Sequence, residues 1–470
     1  MAYWLRLLEV LKMLEYPEYS PTGIVWDKSM PAHWKCDKAK RFFLNPKVIN
    51  KGNVEKNVMS LTLRGVIRND INNPIGLAPA DYSTYQIFES NELVFKLIDL
   101  ENISTSRVGI VPERGIMSSA YIRLKPMGDL NIRYFYYQYF DWYKRNIFNG
   151  LGAGVRQTLS ASDLLDLNVV CPPRNEQDKI VRFLDWKVSQ FTKFIREKKA
   201  EIKLLQEYKT TLINSYITGG VKPTADMIDS DVDWIGKIPS SWSVDTIKQH
   251  FAVKKRIAGK EGYDVLSITQ QGLKVKDITK NEGQMANSYA NYQFVYPGEF
   301  AMNHMDLITG FVDLSDKFGV TSPDYRVFAL FDDKNCYDRY YLRVFQICYK
   351  RRIFYKFGKG AAHQGRWRLP KDRFLQFQIP VPPYEEQIEI AKKCDDIERI
   401  IDEAITGIKT EIDLIEELRM RTISDVVTGK VDVRDVEIPE YEIETSNIGD
   451  DSLVDEDSDE DETVDEEVDE

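Results

Sequence analysis

The sequence predicts an α+β protein built as a pseudo-twofold tandem repeat. Two α/β globular segments are each followed by a long helix, and the two helices pair as an antiparallel coiled coil. The first observation is a repeated motif, "PPRNEQDKI" from Pro172 and "PPYEEQIEI" from Pro382. The second is the long stretch of helical periodicity that follows each copy. The third is a series of short apolar runs bounded by Gly, Pro and Asn before each copy.

The repeat extends well beyond the motif. The shift that superposes the two Pro-Pro pairs also matches "ITGGV" from Ile217 with "VTGKV" from Val427. With the shift slipping by two or three positions, "WDKSMPAHW" from Trp26 matches "WIGKIPSSW" from Trp234. Because similarity at nearly the same shift runs across most of the chain, the body is a tandem duplication.

Each Pro-Pro motif predicts the start of a long helix. Proline is well tolerated in a first helical turn, and a glutamate there is favoured by the helix dipole. A catalytic role for these glutamates has no partner residues in the sequence, so we interpret the motif as structural. The helix-entry residues are Pro172, Glu176, Gln177, Pro382, Glu386 and Gln387.

Apolar residues then recur at steps of three and four, which is typical of a coiled-coil stripe. About 40 residues at 1.5 Å each predict a helix near 60 Å long, ending around Gly219 or Gly429. A single stripe would be exposed, so the two helices should pack on each other. The stripes are Ile180, Leu184, Val188, Phe191, Ile195, Ile202, Leu205, Leu212 and Tyr216, and Ile390, Cys394, Ile397, Ile401, Ile405, Ile408, Ile412, Ile415 and Val426.

Aromatic residues are concentrated in one stretch of each globular segment. "RYFYYQYFDWYKR" begins at Arg133, and "YDRYYLRVFQICYKRRIFYKF" begins at Tyr337. Both keep apolar residues at helical spacing, so we expect two helices whose rings lie mainly in the core.

The net charge of −11 hides two unlike parts. About 18 of the 74 acidic residues follow from Glu437 onward with no Lys or Arg, which leaves 63 basic against about 56 acidic residues before them. We expect a mildly basic body and a disordered acidic tail. The predicted divisions are 1–168, 169–222, 223–379, 380–435 and 436–470: globular segment, helix, globular segment, helix and tail.

Composition and motifs point away from several classes of protein. The five cysteines show no CxxC spacing, and no signal peptide or membrane-length apolar run is present, so we expect a cytoplasmic protein without a membrane partner. "FNGLGAG" from Phe148 is a weak signal for a methyl-donor loop. No P-loop exists, and the "PDY" at Pro323 has no nuclease partner motif. We therefore expect no catalytic residue, no metal and no cofactor.

Basic clusters occur in both globular segments. A single run of charge is usually a solvated face, but clusters in both halves of a basic body favour contacts with phosphates. The candidate DNA-binding residues are Arg64, Arg68, Arg156, Lys254, Lys255, Arg256, Lys274, Lys276, Arg366 and Arg368.

The combination resembles the specificity subunits of type I restriction–modification enzymes. The residues that carry the resemblance are "WIGKIPSSW" from Trp234, the "PPxxEQ" helix entries, the doubled long helices and the "TG" exits, over about residues 17–435. The first opening departs from this pattern, since "WDKSMPAHW" lacks the glycine and isoleucine. The acidic tail is also outside it.

The resemblance implies two target-recognition domains that each read one half of a bipartite site in double-stranded DNA. It also implies two helices that set the spacing of the half-sites, and docking of two methyltransferase subunits and of motor-nuclease subunits, with the helical region and its entries as the docking part. The chain itself would not be an enzyme. The alternative is a coiled-coil adaptor with two ligand-binding lobes and no affinity for DNA.

Overall fold

The computed structural model describes residues 15–70, 79, 81–100, 106–152, 158–222, 226–278, 286–331, 334–360 and 367–442. The chain divides into two compact units. Unit 1 comprises residues 1–199 and 408–459, and unit 2 comprises residues 200–407 and 460–470. Each unit therefore contains one globular lobe and a half of each long helix.

Lobe 1 of unit 1 is built from twelve short strands and three helices of the described residues. A four-stranded antiparallel sheet has the order β4-β11-β8-β9, and the pairs β1-β2, β3-β12, β5-β6 and β7-β10 surround it. The strands are β1 Tyr19–Pro21, β2 Ser29–Pro31, β3 Lys35–Lys38, β4 Phe43–Leu44, β5 Met59–Thr62, β6 Gly65–Arg68, β7 Gln86–Phe88, β8 Leu93–Phe95, β9 Val108–Ile110, β10 Gly115–Met117, β11 Ile122–Pro126 and β12 Asn168–Cys171. The helices are α1 Ile132–Lys144, α2 Ile147–Leu151 and α3 Ala161–Asp166.

The first long helix, α4, spans Arg174–Gly219. Lobe 2 of unit 2 follows it with strands β13 Met227–Asp229, β14 Lys237–Pro239, β15 Ser243–Thr246, β16 Phe251–Lys254, β17 Leu266–Thr269, β18 Gly272–Val275, β19 Gln293–Val295, β20 Phe300–Met302, β21 Val312–Leu314, β22 Gly319–Thr321, β23 Arg326–Leu330 and β24 Gln378–Val381. Its helices are α5 Ile247–His250, α6 Asp338–Lys350 and α7 Lys371–Leu375, and the second long helix is α8 Tyr384–Val427.

The two lobes share one topology. The sheet order in lobe 2 is β16-β23-β20-β21, with pairs β13-β14, β15-β24, β17-β18 and β19-β22. Adding twelve to each strand number of lobe 1 gives every one of these pairings. The predicted duplication and the mixed helix and strand content are thus confirmed at the level of strand order.

The aromatic stretches form α1 and α6, as predicted. Their rings fill the core, since Tyr134, Tyr137 and Phe140 of α1 and Tyr340 and Phe345 of α6 are each completely buried. Burial of so many rings provides a large share of the apolar area in each lobe.

Within each unit the two helix halves run antiparallel. In unit 1 the Nζ of Lys198 lies 3.3 Å from Glu411 Oε2, while Lys179, one end of α4, donates to the carbonyl of Val436 beyond the end of α8. In unit 2 the Nζ of Lys209 lies 2.5 Å from Asp402 Oδ1. A higher residue number in α4 therefore goes with a lower residue number of the partner in α8, which is the relation expected of antiparallel helices.

The burial of the helices largely follows the predicted stripes. Leu205, Leu212 and Tyr216 are only half-buried, and Ile213 and Ile217 take the buried positions there. The reason is geometric: a straight helix of 3.6 residues per turn drifts relative to a strict seven-residue repeat. None of the helices in the described ranges is long and apolar enough to cross a membrane.

A left-handed glycine follows each long helix, Gly220 (φ 75°) after α4 and Gly429 (φ 74°) after α8. Helix α4 itself ends at Gly219, as predicted. After α8, the chain continues to pack on unit 1: Val433 is completely buried, and the hydroxyl of Tyr441 donates to the carbonyl of Arg182. Packing therefore continues past residue 436, and the rest of the expected acidic tail, 443–470, lies outside the described residues.

Candidate nucleic-acid interface and helix entries

The glutamine of each helix entry joins the long helix to the aromatic helix of its lobe. Gln177 Oε1 accepts a hydrogen bond of 2.9 Å from the amide of Asn131, which caps α1, and Gln177 Nε2 donates to the carbonyl of Pro172. Gln387 repeats this arrangement, since its Oε1 accepts from the amide of Tyr337 at 2.7 Å and its Nε2 donates to Pro382. Each glutamine thus satisfies one unpaired amide at a helix start.

The glutamate of each entry is a buried acceptor for a tryptophan. The tryptophan is the last residue of "WDKSMPAHW" in lobe 1 and of "WIGKIPSSW" in lobe 2. Glu176 accepts from Trp34 Nε1 at 3.0 Å, from the Tyr16 hydroxyl at 2.6 Å, and lies 2.8 Å from His33 Nε2. Glu386 accepts from Trp242 Nε1 at 3.1 Å. The two motifs that carry the family resemblance are therefore bonded to each other in both lobes.

Burial has a marked effect on this cluster in unit 1. The pKa of the Tyr16 hydroxyl is raised, mainly by burial and secondly by the bond to Glu176. The phenol therefore stays protonated and donates. The Arg434 guanidinium lies 4.9 Å from the centre of the Tyr16 ring. The chain after α8 therefore closes over the entry of α4 within unit 1.

All six helix-entry residues are buried: Pro172, Glu176, Gln177, Pro382, Glu386 and Gln387. The structure places them inside the protein, where they hold the helix entries. Docking of a partner subunit by these residues stays a prediction.

The candidate cations of lobe 1 lie on the β5-β6 hairpin or outside the described residues. Arg64 is exposed in the turn of the hairpin. Arg68 is exposed at its end and forms a two-pronged ion pair with Glu113, with Nη2 at 2.6 Å from Oε2. Arg156 falls in 153–157, which the structure does not describe. Solvent screens the attraction between the two charges of this exposed pair.

In lobe 2, Lys254 and Lys255 follow one another at the end of β16, half-buried and exposed respectively. Arg256 is different, because it pairs with Glu299 and stacks 4.6 Å over the Tyr296 ring. It is therefore a structural arginine in the free protein. Lys274 lies on β18 of the second hairpin and is exposed, and Lys276 follows β18 and is half-buried. The Nζ of Lys274 donates a hydrogen bond to the side chain of Gln271 in the hairpin turn.

The two hairpins have the same turn with different exposed side chains. In lobe 1, Thr62 Oγ1 donates to the carbonyl of Gly65 and accepts from the amide of Arg64. In lobe 2, Thr269 Oγ1 makes the equivalent two bonds, with Gly272 and with the amide of Gln271. The backbone is thus fixed identically, and Arg64 of lobe 1 corresponds to Gln271 of lobe 2.

The sequence did not single out a cationic group around Arg368. Arg368 is exposed, and Arg366 lies outside the described residues. Next to Arg368, burial and the charges of Arg326 and Arg368 lower the pKa of His304 to about 3, and burial lowers the pKa of Arg326 to about 10. His304 Nδ1 and Arg326 Nη1 are buried and lack a hydrogen-bond partner among the described residues. Only folding brings these three side chains together, so no spacing rule could have found them.

Across the described ranges, no group of three or more His, Cys, Asp or Glu side chains is arranged to hold a metal ion.

Comparison with known families gives a match to the type I restriction modification DNA specificity domain, in two copies, at residues 37–204 and 245–414. The chain belongs to this family. Each copy covers most of one lobe together with the first part of the long helix that follows it. The two matches coincide with the duplication seen in the strand order.

Individual proteins and solved structures are also similar to this chain. A putative type I restriction enzyme MjaX specificity subunit of Methanocaldococcus jannaschii is 24% identical over 308 residues, 62% of this chain and 66% of the relative, just under two thirds of its length. A chain solved to describe complex assembly and conformational transition of the type I R-M system has a TM-score of 0.60 at 12% identity, covering 86% of this chain and 99% of that chain. The HsdS subunit from Thermoanaerobacter tengcongensis has a TM-score of 0.43 at 12% identity over 86% of this chain and 98% of its own.

Proposed function

We propose that this chain is the DNA-sequence specificity subunit of a type I restriction–modification complex, with lobe 1 and lobe 2 each reading one half of a bipartite site in double-stranded DNA. The family match in two copies carries the proposal. The chain is non-catalytic and needs no cofactor of its own, and the complex acts in the cytoplasm. In this proposal the functional divisions are 1–168 and 223–379 for recognition, 169–222 and 380–435 for the helices, and 436–470 for the tail.

The matched hairpins support independent readout by the two lobes. A device that reads two different half-sites needs one scaffold with different side chains, which is the relation between Arg64 and Gln271 at the two hairpin turns. An arginine pairs best with guanine and a glutamine with adenine in the major groove. Lys254, Lys255, Lys274, Lys276, Arg68, Arg156, Arg366 and Arg368 would then contact phosphates, which fix the register of the lobe on DNA. Arg256 joins this group only by leaving Glu299.

Methylation mapping tests the readout directly. The chain is co-expressed with its methyltransferase partner, and the modified motif is mapped for the wild type and for Arg64→Gln, with Arg41→Gln, an exposed arginine outside the hairpin, as the matched control. We expect a bipartite motif whose first half alone changes in Arg64→Gln. An unchanged motif, or a change in both halves, would contradict readout by this hairpin.

Salt dependence separates the proposal from the adaptor alternative. Affinity for DNA falls with a logarithmic slope of about −0.9 per phosphate contact, so a protein with six or more contacts loses about a thousandfold between 50 and 200 mM salt. An adaptor with two ligand-binding lobes would show no such steep dependence. The measurement is fluorescence anisotropy of a labelled duplex that carries the mapped motif, against a duplex without it.

We further propose that exposed apolar residues of the long helices dock the two methyltransferase subunits, which in turn allow motor-nuclease subunits to assemble. Leu204 of α4 is 65% exposed, and Leu414, its equivalent in α8, is 45% exposed. Exposed leucines at matching positions of a duplicated chain fit two copies of one partner. Leu204→Asp or Leu414→Asp should each reduce the number of bound methyltransferase subunits from two to one, measured by native mass spectrometry. Lys203→Asp, at the neighbouring exposed position, is the control that should keep both.

A further inference from the structure

Lobe 2 contains a group of three side chains that the proposed function does not use. The Nδ1 of His250 lies 3.4 Å from the sulfur of Cys336, and its Nε2 lies 2.8 Å from Oδ2 of Asp245. The carboxylate thus orients the imidazole, and the imidazole faces the thiol. This is the order of acid, base and nucleophile that activates a cysteine in nucleophilic catalysis.

The surrounding fold fixes each member of the group. Asp245 lies on β15, which pairs with β24, and His250 is the last residue of α5. Cys336 stands two residues before α6, between two backbone groups that Gln387 holds: the carbonyl of Asn335 and the amide of Tyr337.

The fold does not require the histidine or the thiol, because lobe 1 has neither at the matching positions, although it keeps the aspartate as Asp37. The strand pairings of β4 and β16 align His250 with Phe42. Tyr134 and Tyr340 donate to equivalent carbonyls at the two helix exits, Val427 and Ile217, which aligns Cys336 with Leu130. Phe42 and Leu130 pack against the core of unit 1.

The other thiols of unit 2 have no comparable surroundings. Cys348 and Cys394 are completely buried, and burial raises the pKa of both thiols, that of Cys394 to about 12. Cys336 keeps 6% of its surface, and the side chains of His250 and Asp245 beside it are 18% and 27% exposed. The imidazole and the carboxylate beside the sulfur are thus partly open to solvent.

The groups that face His250 are Cys336, Asp245 and Tyr341, whose ring is stacked 6.2 Å away. The bond to Cys336 raises the pKa of His250, as does Asp245, against the opposing effect of burial. A more basic imidazole takes the thiol proton more readily and keeps it as a counter-ion.

We propose that Cys336, His250 and Asp245 form a modification site at which Cys336 is oxidised by small hydroperoxides. His250 takes the proton of the thiol, and the thiolate sulfur attacks one oxygen of hydrogen peroxide. The sulfur–oxygen bond forms as the oxygen–oxygen bond breaks, and the departing hydroxide takes the proton from the imidazolium to leave as water. Cysteine is oxidised by two electrons to sulfenic acid, and one peroxide is reduced to water. The proposal does not depend on the DNA-binding function.

The test compares two thiols within the full-length protein. Hydrogen peroxide is added in equal amount, sulfenic acid is trapped with a 1,3-diketone, and each cysteine is quantified by mass spectrometry. Cys36 of lobe 1 is the internal control, since it is half-buried and its pKa is raised by burial and by Asp37. We expect Cys336 to be trapped at least about tenfold faster than Cys36, although it is less exposed. Trapping of Cys336 at or below the rate of Cys36 overturns the proposal.

Variants separate an activated thiol from one that is merely accessible. His250→Phe, which copies the residue of lobe 1, should slow trapping of Cys336 at least about tenfold by removing the general base. His250→Gln, which keeps a polar side chain, should slow it similarly, and Asp245→Asn should slow it less. In the wild type the rate should rise with pH as His250, whose pKa is raised by its bonds to Cys336 and Asp245, loses its proton and becomes a base, and His250→Gln should lack this step. Unchanged rates in folded variants, checked by circular dichroism, also overturn the proposal.

Discussion

Removal of the buried glutamate at a helix entry should destabilise the two units to different extents. Glu176→Ala leaves Tyr16 and Trp34 without their acceptor, and both side chains are 97% buried, whereas His33 is 40% exposed and can bond to water instead. Glu386→Ala leaves the Trp242 indole without its acceptor.

The difference between the two variants can be estimated from the number of donors left unpaired. A buried donor without a partner costs about 1–3 kcal/mol. Two such donors give about 2–6 kcal/mol for Glu176→Ala, and one gives about 1–3 kcal/mol for Glu386→Ala. Each variant also loses the favourable interaction of a negative charge with the helix dipole and no longer bears the free-energy cost of a buried carboxylate. Because both variants share these two effects, they largely cancel when the variants are compared.

Hydrogen exchange measured by mass spectrometry reports each unit separately. The central strands β11, in lobe 1, and β23, in lobe 2, provide the amides whose opening free energy is followed. Glu176→Ala should lower protection in β11 by about 1–3 kcal/mol more than Glu386→Ala lowers it in β23. Glu176→Gln retains one carbonyl acceptor, so it should fall between Glu176→Ala and the wild type.

Equal losses of protection in the two variants would refute this reasoning. So would a loss below about 1 kcal/mol in Glu176→Ala, because the unpaired donors would then have found water or another acceptor.

Three further predictions concern the helices and the lobes. Gly429→Ala should destabilise unit 1 more than Gly220→Ala destabilises unit 2, measured by the same exchange experiment, because an added Cβ would collide with the rigid ring of Pro31 in the first case and with Oε1 of Glu386 in the second, and a carboxylate bonded to Trp242 can still shift more than a proline ring. A heptad inserted between Ile195 and Ile202, with another at the matching level of α8, lengthens each helix by about 10 Å and should move the mapped half-sites apart by about three base pairs; retention of the original spacer would rule out a spacing role for the helices. Exchange of residues 17–165 for the matching segment of a relative should change one half of the motif and leave the other intact.

The sequence allowed the long helices and the duplication to be predicted because both depend on local patterns. A Pro-Pro pair, a glutamate and a stripe of apolar residues are enough to start and to bury a helix. The positions near the C-terminal end of α4 were predicted less well. Ile213 and Ile217 are buried, while Leu212 and Tyr216, one residue earlier, are half-buried. The apolar stripe winds slowly around the helix, so two neighbouring residues can both lie near its centre. Which of the two is buried depends on the packing of the partner helix, and the sequence spacing alone does not determine that.

Contacts between distant residues could not be read from the sequence in the same way. Trp34 and Glu176 are 142 positions apart, and Trp242 and Glu386 are 144 apart. Nothing local to a tryptophan indicates which carboxylate will accept from it. A signal was nevertheless present, since both the tryptophan and the glutamate recur in each half of the chain at nearly the same separation.

A duplicated chain therefore contains its own comparison between structural and functional residues. Where both copies keep a residue, as with Gln177 and Gln387, the structure shows a bond that the fold needs at both sites. Where the backbone is the same and the residue differs, the fold has left the choice free. Cys336, opposite Leu130 in the other lobe, is such a position. By this criterion the unmatched polar residues, and not the repeated motifs, are where selective chemistry should be tested first.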